Sequence, residues 1–371
     1  MDTQPNTLEV LGLYLIPGLG SGSIRQLIGR YRNPDEIYKA SEEELSKIEG
    51  ISPNVAKRIK AQEYMEDPQK EYIRAQRLGA QILTYWDKRY PSLLKEIKYP
   101  PVLLYCLGRP IWESMPLVAV VGSRHPSHYG RRVSNGLAYG LSKRGICVVS
   151  GLAAGIDTSA HEGAISSGGH TVAVLGTGLD VIYPKANRSL FEKIPKQGAI
   201  ITEFPLGTPP DPKHFPIRNR IISGISLGVV VVEATRSSGS LITASMAAEE
   251  GREVFAVPGS IESMKSTGCH YLIRQGAKLV EKVEDILEEL RLPNHFSGSS
   301  ESKAEGHLEG LNREELTILD HLERDPIHID ELSRALGIDT GALSSLLISL
   351  ELKGLIAQLP GKFYVKGKGT W

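Results

Sequence analysis

The sequence predicts an α/β protein in which a parallel sheet, covered by helices on both faces, lies between an N-terminal helical domain and a C-terminal winged helix. Between Leu117 and about Leu290, short apolar runs rich in β-branched residues alternate with helical stretches, as in a parallel sheet. Glycine turns that lead into helices precede this core, and helical periodicity followed by a hairpin pattern comes after it. With 371 residues the chain is long enough for two or three domains.

The N-terminal domain is predicted to span residues 1–68 and to consist of short helices. Two glycine turns, Ile16–Ile28 and Ile48–Lys60, each lead into a basic helix. This arrangement is typical of a helix-hairpin-helix pair, whose turns can bring backbone N–H groups close to a nucleic-acid phosphate. A small helical bundle that uses the glycines as C-caps fits the same pattern equally well, so both interpretations stay open.

The core is predicted to span residues 69–290. The segment Ala75–Trp86 predicts a helix end followed by a strand, and Tyr90–Gly108 predicts two short elements, the second a strand. Seven further strands are predicted after these: Leu117–Val121, Gly145–Val149, His170–Leu175, Ala199–Thr202, Gly228–Glu233, Glu253–Val257 and Lys278–Val280.

A polar linker, residues 291–306, is predicted to separate this core from a winged helix at 307–371. The winged-helix pattern consists of three helical stretches and two short strands around Pro360-Gly361. The expected recognition helix, Asp339–Lys353, has Lys353 as its only basic residue, whereas a helix that reads duplex DNA needs basic or amide side chains. The pattern therefore favours a module that binds protein, or a vestigial one, over a strong duplex reader.

The overall composition excludes few functions. Lys and Arg balance Asp and Glu, 43 against 43, so only local clustering can attract an anion. The three cysteines, Cys106, Cys147 and Cys269, suit a reducing compartment and match no metal-ligand spacing. No segment approaches the ~20 apolar residues that span a bilayer, so we expect a cytoplasmic protein without a membrane segment.

Five loops are predicted to meet at the carboxyl edge of the sheet, where ligands bind in open parallel sheets. They are rich in glycine, serine and basic side chains, which indicates an anionic ligand. The loops begin at Gly122, Ser150, Gly176, Glu203 and Glu233.

The first of these loops argues against a dinucleotide cofactor. A dinucleotide fold places further glycines after Gly122, where this chain has Ser123 and Arg124. The second strand also ends without the acidic residue that would hold a ribose. We therefore expect no cofactor.

The third and fourth loops predict contacts to single-stranded nucleic acid. Lys213, Arg218, Asn219 and Arg220 lie close to the aromatic Phe215. Arginine binds phosphate in a bidentate fork, and an aromatic ring offers a base a stacking face. Further polar and basic groups come from Lys185, Asn187 and Arg188 in the third loop.

The fifth loop predicts a phosphate site at a helix start. Ser238, Gly239 and Ser240 are small and leave backbone N–H groups accessible, although for this segment taken alone an ordinary serine-capped helix is the better explanation. Because no lysine follows the glycine, the segment is not a P-loop and gives no support to ATP hydrolysis.

A hydrolase is the alternative from another class. Asp157 and His161 are spaced to share a helix face, and Glu203 and Glu233 end strands near the crevice. No serine has a nucleophile-elbow context and no cluster has metal-ligand spacing, so we predict no catalytic residue and no metal site. A nucleotide phosphoribohydrolase would need a catalytic glutamate soon after a glycine-rich loop, whereas Glu249 is the first one after Ser240. A pure protein-interaction scaffold would leave the arginine-rich loop unexplained.

Several long motifs resemble the DNA-processing protein A (DprA/Smf) family of bacteria. They include VAVVGSRHPSHYG, VVSGLAAGIDTSAH, AVLGTGLDVIYPKAN, TEFPLGTPPDPKHFPIRNRIISGIS and VVVVEATRSSGSLITA. The resemblance covers roughly residues 85 to 290, with the motifs in the family's order. The flanking helical and winged-helix segments are also similar to parts of family members.

The resemblance implies an extended Rossmann-like core with a SAM-like helical domain and a winged helix. It implies a protein without a known catalytic reaction that binds single-stranded DNA, typically as a dimer. It also implies protection of the strand and help in loading the RecA recombinase during natural transformation. The DNA pocket of the family maps onto these residues of this chain: Ser123, Arg124, Lys185, Asn187, Phe215, Arg218, Asn219, Arg220, Ser238, Gly239 and Ser240.

Overall fold

The computed structural model describes residues 5–31, 34–292, 313–322, 326–353, 355–359 and 361–366. The chain divides into two compact units, Met1–Phe296 and Ser297–Trp371. The N-terminal helices and the sheet belong to one unit, and the domain boundary at residue 68 stays a prediction. Apart from residues 291 and 292, the predicted linker lies outside the described residues.

Short helices form the N-terminal part. They are α1 (Thr7–Tyr14), α2 (Ser21–Tyr31), α3 (Pro34–Lys39), α4 (Glu42–Ser46), α5 (Pro53–Ala61) and α6 (Pro68–Arg77). Local sequence explains where α1 and α4 begin, because Asn6 and Ser41 each form a capping box at the helix start.

Side-chain hydrogen bonds connect both glycine turns to neighbouring segments, while Gly18, Gly20 and Gly50 themselves are exposed. The Ser23 hydroxyl donates to the Glu49 carbonyl at 2.9 Å, which joins the helix after the first turn to the second turn. The Ser21 hydroxyl accepts from the Val102 N–H at 3.2 Å, which ties the start of α2 to the sheet region. These contacts favour a packing role for the turns, and a phosphate contact there stays a prediction.

Nine strands in the described part of the chain form the main sheet. They are β1 (Ala80–Thr84), β2 (Leu103–Gly108), β3 (Leu117–Val121), β4 (Cys147–Ser150), β5 (Thr171–Val174), β6 (Gly198–Thr202), β7 (Gly228–Val231), β8 (Glu253–Ala256) and β9 (Lys278–Leu279). Their order is β1-β2-β6-β5-β4-β3-β7-β8-β9. All pairs from β6 to β9 are parallel, whereas β2 is antiparallel to both β1 and β6.

The predicted α/β core is confirmed, with small changes at strand ends. The fourth strand starts at Cys147 and not at Gly145, because Gly145 has a positive φ of 74° and closes the turn after the preceding helix. The direction of β2 is the main feature that the sequence did not predict.

Helices cover both faces of the sheet. They are α7 (Ser92–Lys95), α8 (His128–Lys143), α9 (Ile156–Ser166), α10 (Arg188–Gln197), α11 (His214–Gly224), α12 (Gly239–Glu249), α13 (Thr267–Arg274) and α14 (Val283–Glu289). Every residue of β3 is buried, and its alternate side chains belong to two different apolar clusters. Val118 and Val120 pack in one cluster with Leu137 and Leu141 of α8. This two-sided burial explains why the strands are continuous apolar runs.

The second unit is a winged helix, as predicted. It contains α15 (Arg313–His321), β10 (Ile327–His328), α16 (Ile329–Leu336), α17 (Thr340–Leu352), β11 (Ile356–Leu359) and β12 (Phe363–Lys366), with the sheet order β10-β12-β11. The predicted hairpin joins β11 and β12, and Pro360 lies outside the described residues. The Lys353 ammonium is 2.7 Å from Glu315 Oε1, so the one basic group of the expected recognition helix is already paired.

Within the described ranges, no single helix is long and apolar enough to cross a membrane. The helices α16 and α17 meet the length and composition criterion only as a pair, and the pair is bent by 109°.

Candidate nucleic-acid interface

The loops after β3, β4, β5, β6 and β7 meet at one edge of the sheet, as the sequence predicts. The chain order reverses between β3 and β7, which is the position where open α/β sheets form their binding crevice. An open pocket lies at this edge, and four of its loops contribute to it. Its lining residues are Arg124, Gly151, Ala153, Ala154, Leu175, Gly176, Thr177, Tyr183, Pro184 and Phe215.

Backbone hydrogen bonds fix the turn that carries Arg124. The Ser123 N–H donates to the Glu233 carbonyl at 2.7 Å, and the Ser123 carbonyl accepts from the Ile156 N–H at 3.1 Å. The Ser123 hydroxyl accepts from the His125 N–H at 3.1 Å. Ser123 therefore positions the turn, and the Arg124 side chain is exposed at its tip.

Gly155 allows the second loop to approach this turn. Its φ of 89° and ψ of −121° belong to a region that only glycine adopts readily. A Cβ at this position would lie 2.4 Å from the Ser123 carbonyl oxygen.

Gly155→Ala is expected to lower the free energy of unfolding by more than the ~1–3 kcal/mol of backbone strain alone, because the new methyl also pushes against the Ser123 carbonyl. Urea denaturation measures this change. Gly168→Ala is the matched control, since Gly168 has a φ of 76° but no neighbouring atom within 4 Å of the position that its methyl group would take. Its expected cost is about 1–2 kcal/mol. Equal destabilisation by the two substitutions would contradict this account of the turn.

Arg124 and two aromatic rings form the accessible wall of the pocket. The Arg124 guanidinium lies 4.8 Å from the centroid of the Phe215 ring, within cation–π range. The Tyr183 ring is 5.8 Å from the Phe215 ring, centroid to centroid, at an angle of 32°. Gly176 lies against Phe215, since a Cβ there would be 2.9 Å from Phe215 Cδ1.

Arg218 lies beneath the pocket and not at its surface. Its side chain is 4% exposed, and its guanidinium donates to the main-chain carbonyls of Gly151 and Val174. Burial lowers the pKa of Arg218 to about 10, and the nearby Asp157 opposes that shift. The sequence predicts a phosphate contact here, but the buried geometry favours a role in joining the ends of β4 and β5. A direct contact stays a prediction.

The two asparagines are also buried and fully engaged. Asn187 Nδ2 donates to the Leu152 carbonyl and to the Thr158 hydroxyl, both at 2.9 Å. Asn219 accepts from Arg218 Nε at 3.2 Å and donates to the Gly239 carbonyl at 3.4 Å. Both therefore hold neighbouring loops together, and a direct contact of either with the ligand stays a prediction.

Arg220 does not line the pocket and instead pairs with a residue that α1 contacts. Its guanidinium pairs with the buried Glu203 carboxylate, and the Tyr14 hydroxyl donates to the Glu203 carbonyl at 2.6 Å. Burial raises the pKa of Glu203, and Arg220 opposes that rise. The predicted phosphate contact of Arg220 is not favoured by this pairing.

Lys185 and Lys213 are exposed at the rim of the crevice. The small-residue turn lies at the start of α12, where Gly239 is exposed and the Ser240 hydroxyl is buried without a hydrogen-bond partner among the described residues. The Ser238 hydroxyl accepts from the Thr235 N–H at 2.9 Å and shapes the turn.

The candidate catalytic carboxylates and the histidine make structural contacts. Asp157 accepts from the Gly151 N–H at 3.1 Å, while His161 Nδ1 is 2.7 Å from the Thr171 hydroxyl. Burial lowers the pKa of His161 to about 3. Glu233 accepts from the Ser127 N–H at 2.8 Å and so braces the start of α8. No group of three or more His, Cys, Asp or Glu side chains with metal-binding geometry occurs in the described part of the chain.

Tyr183 is the pocket residue that sequence reasoning missed. The third loop drew attention for its basic and amide groups, although its aromatic residue directly precedes Pro184. An aromatic residue in a loop after a buried strand was the available signal.

Comparison with known proteins identifies the family. Residues 81–291, more than half of the chain, match the family model described as DNA recombination-mediator protein A. The chain belongs to this family. Residues 302–362 match a DprA winged helix domain, and residues 10–62 match a SAM-like helix-hairpin-helix tandem.

Relatives of the family support the assignment along nearly the whole chain. Protein Smf of Synechocystis sp. is 35% identical over 381 aligned residues, covering 94% of this chain and 96% of that protein. The X-ray structure of DNA processing protein A from Streptococcus pneumoniae superposes with a TM-score of 0.69 at 40% identity, covering 77% of this chain and 99% of that one. A Helicobacter pylori DNA processing protein A, whose structure concerns its single-stranded DNA binding mode, gives a TM-score of 0.52 at 28% identity, covering 57% of this chain and 95% of that one.

Proposed function

We propose that this protein captures single-stranded DNA at the carboxyl edge of its sheet and does so without catalysing a reaction. The observation that carries the proposal is the exposed Arg124 guanidinium held over the Phe215 ring beside Tyr183. A cation for the phosphate backbone next to stacking faces for bases is the combination that binds single strands without sequence preference.

Each accessible group has a distinct role in this proposal. Arg124, Lys185 and Lys213 neutralise phosphates, and Phe215 and Tyr183 stack bases. The N–H groups at Gly239 and Ser240 complete the cradle at the start of α12. The buried residues Arg218, Asn187 and Asn219 hold the loops in position beneath the bound DNA.

The engaged carboxylates support the non-enzymatic part of the proposal. Asp157, Glu203 and Glu233 each bond to a donor inside the fold. A hydrolytic base needs a carboxylate that faces the substrate.

The biological role proposed for this capture is that of a recombination mediator. It would protect incoming single strands in the cytoplasm and help load the RecA recombinase, as in natural transformation. Membership of the recombination-mediator family supports this role.

A homodimer is part of the same proposal, and the open edge of the sheet supports it. Strand β9 ends the main sheet, and Leu279 in it is 41% exposed. In the loop after β8, Ile261 is 88% and Met264 is 73% exposed. Exposed apolar side chains and a sheet edge without a further strand are favourable surfaces for a second copy.

Fluorescence anisotropy with oligonucleotides tests the proposal. We expect the full chain to bind a single strand more tightly than the duplex of the same sequence. Release of a free base from nucleoside monophosphates should be absent in the same preparation. Equal affinity for both DNA forms, or turnover of a monophosphate, would contradict the proposal.

A further inference from the structure

A second cluster of cations lies outside the pocket, at the carboxyl end of β1. The Arg25 guanidinium from α2 is 5.1 Å from the centroid of the Tyr85 ring, and the Lys95 ammonium from α7 is 5.3 Å from the same ring. Lys95 is also 5.8 Å from the Tyr90 ring. One aromatic ring therefore holds two cations that come from different helices. We call Arg25, Tyr85 and Lys95 the junction cluster.

Backbone contacts hold the parts of the junction cluster in place. The Tyr85 N–H donates to the Val102 carbonyl at 2.8 Å, and the Val102 N–H donates to the Ser21 hydroxyl at 3.2 Å. Ser21 starts α2, and Arg25 follows one helical turn later. The anchored start of α2 thus directs Arg25 to the ring.

The charges of the junction cluster make no ion pair with a described residue, although Asp87 is close enough for the Lys95 charge to help lower the pKa of its carboxyl. Among the described residues, no carboxylate lies within ion-pair distance of Arg25 or Lys95, and Arg25 Nε is buried without a hydrogen-bond partner. Nearby arginines differ, because Arg89 is 2.7 Å from Asp87 and Arg252 is 3.2 Å from Glu96. Two held cations and a buried donor without a partner are what an anionic ligand would satisfy.

The junction cluster shares an edge with the pocket. Because β2 is antiparallel to both β1 and β6, β1 runs parallel to β6 and its carboxyl end lies at the same edge. Three strand steps separate β1 from β5, which is roughly 14 Å at ~4.8 Å per strand. The loop after β6 lies between them, and there Phe204 stacks on His214 with ring centroids 4.3 Å apart. His214 directly precedes Phe215 of the pocket.

We propose that the junction cluster is a second phosphate-binding site that holds the backbone of a single DNA strand as it leaves the pocket. The inference rests on the proposed function. Cation–π contact with Tyr85 keeps both side chains ordered, so less conformational entropy is lost when a phosphate binds. A strand too short to span the separation engages only the pocket, whereas a longer one engages both sites.

The test compares the salt dependence of binding for short and long oligonucleotides. Thymidine oligomers of about 3 and about 20 nucleotides are titrated with wild type and with Arg25→Gln/Lys95→Gln. We expect the variant to lower the slope of log K against log salt by about 1.4 for the long oligomer, at about 0.7 per phosphate contact. Binding of the short oligomer should be unchanged. Polyglutamate, titrated in parallel, represents an acidic protein partner.

Arg109→Gln/Lys143→Gln is the matched control. It removes the same charge at the opposite edge, because the Arg109 N–H bonds to Gly198 at the start of β6 and Lys143 ends α8. It should bind both oligomers like wild type. If Arg25→Gln/Lys95→Gln fails to fold, Lys95→Gln alone should lower the long-oligomer slope by about 0.7.

Three outcomes would overturn the inference or its basis, and they are distinguishable. If the long-oligomer slope of Arg25→Gln/Lys95→Gln equals that of the control, the second site is overturned, and the proposal for the pocket is unaffected. If Arg25→Gln/Lys95→Gln loses polyglutamate binding but binds DNA like wild type, the junction cluster binds an acidic protein partner and the second DNA site is overturned. Failure of wild type to bind either oligomer refutes the proposed function itself.

Discussion

Replacing Arg218 by alanine is expected to lower the free energy of unfolding by about 1–3 kcal/mol for each buried acceptor that loses its donor. The buried Asp157 would lose the cation that offsets its burial, and the Gly151 and Val174 carbonyls would lose their donor. Urea denaturation at neutral pH, followed by circular dichroism, measures the change.

Arg124→Ala is the control for this prediction, because it removes an exposed arginine from the same crevice. Its stability should stay within about 0.5 kcal/mol of wild type. If Arg218→Ala is as stable as this control and binds single strands poorly, Arg218 contacts phosphate directly and the structural role is wrong.

Replacing Phe215 by alanine is expected to weaken single-strand binding by about 1–3 kcal/mol, the usual contribution of one stacked base. The salt slope should change little, because the ring carries no charge. Anisotropy titrations at several salt concentrations separate the two effects, and Phe215→Tyr should keep most of the affinity.

A double-mutant cycle extends this prediction to the contact between Phe215 and Arg124. Since the guanidinium lies over the ring, the two alanine substitutions should be coupled by about 0.5–3 kcal/mol and not additive. Wild-type affinity for Phe215→Ala would rule out a base stacked on this ring.

The sequence predicted the architecture well because its signals are local and repeated. Apolar β-branched runs such as Val118–Val121 mark strands that are buried on both faces, and the loops after them must share an edge once the strands are parallel. The reversed direction of β2 was not predictable in this way, since alternation and composition do not distinguish the directions of a short buried strand.

The site was predicted less completely than the fold. The sequence identified the right loops, and it placed Arg124 and Phe215 in the crevice where the structure brings them together. It could not tell accessible from buried polar groups. In one segment of α11, Arg218 faces the sheet and Arg220 faces Glu203, so residues two apart in sequence have different surroundings.

The junction cluster was beyond sequence reasoning for a related reason. Arg25, Tyr85 and Lys95 come from three separate segments, and none belongs to a basic run. The tertiary hydrogen bond between Ser21 and Val102 helps bring Arg25 to the ring. Sites of this kind depend on tertiary contacts and carry no local pattern.

In the proposed mode of binding, Arg124 neutralises a phosphate of bound single-stranded DNA. The most direct test is the slope of log K against log salt for wild type, Arg124→Ala and Arg109→Ala, the last removing an exposed arginine from the opposite edge. We expect a slope shallower by about 0.7 for Arg124→Ala and an unchanged slope for Arg109→Ala. The same slope and affinity for Arg124→Ala as for wild type would contradict this role of Arg124.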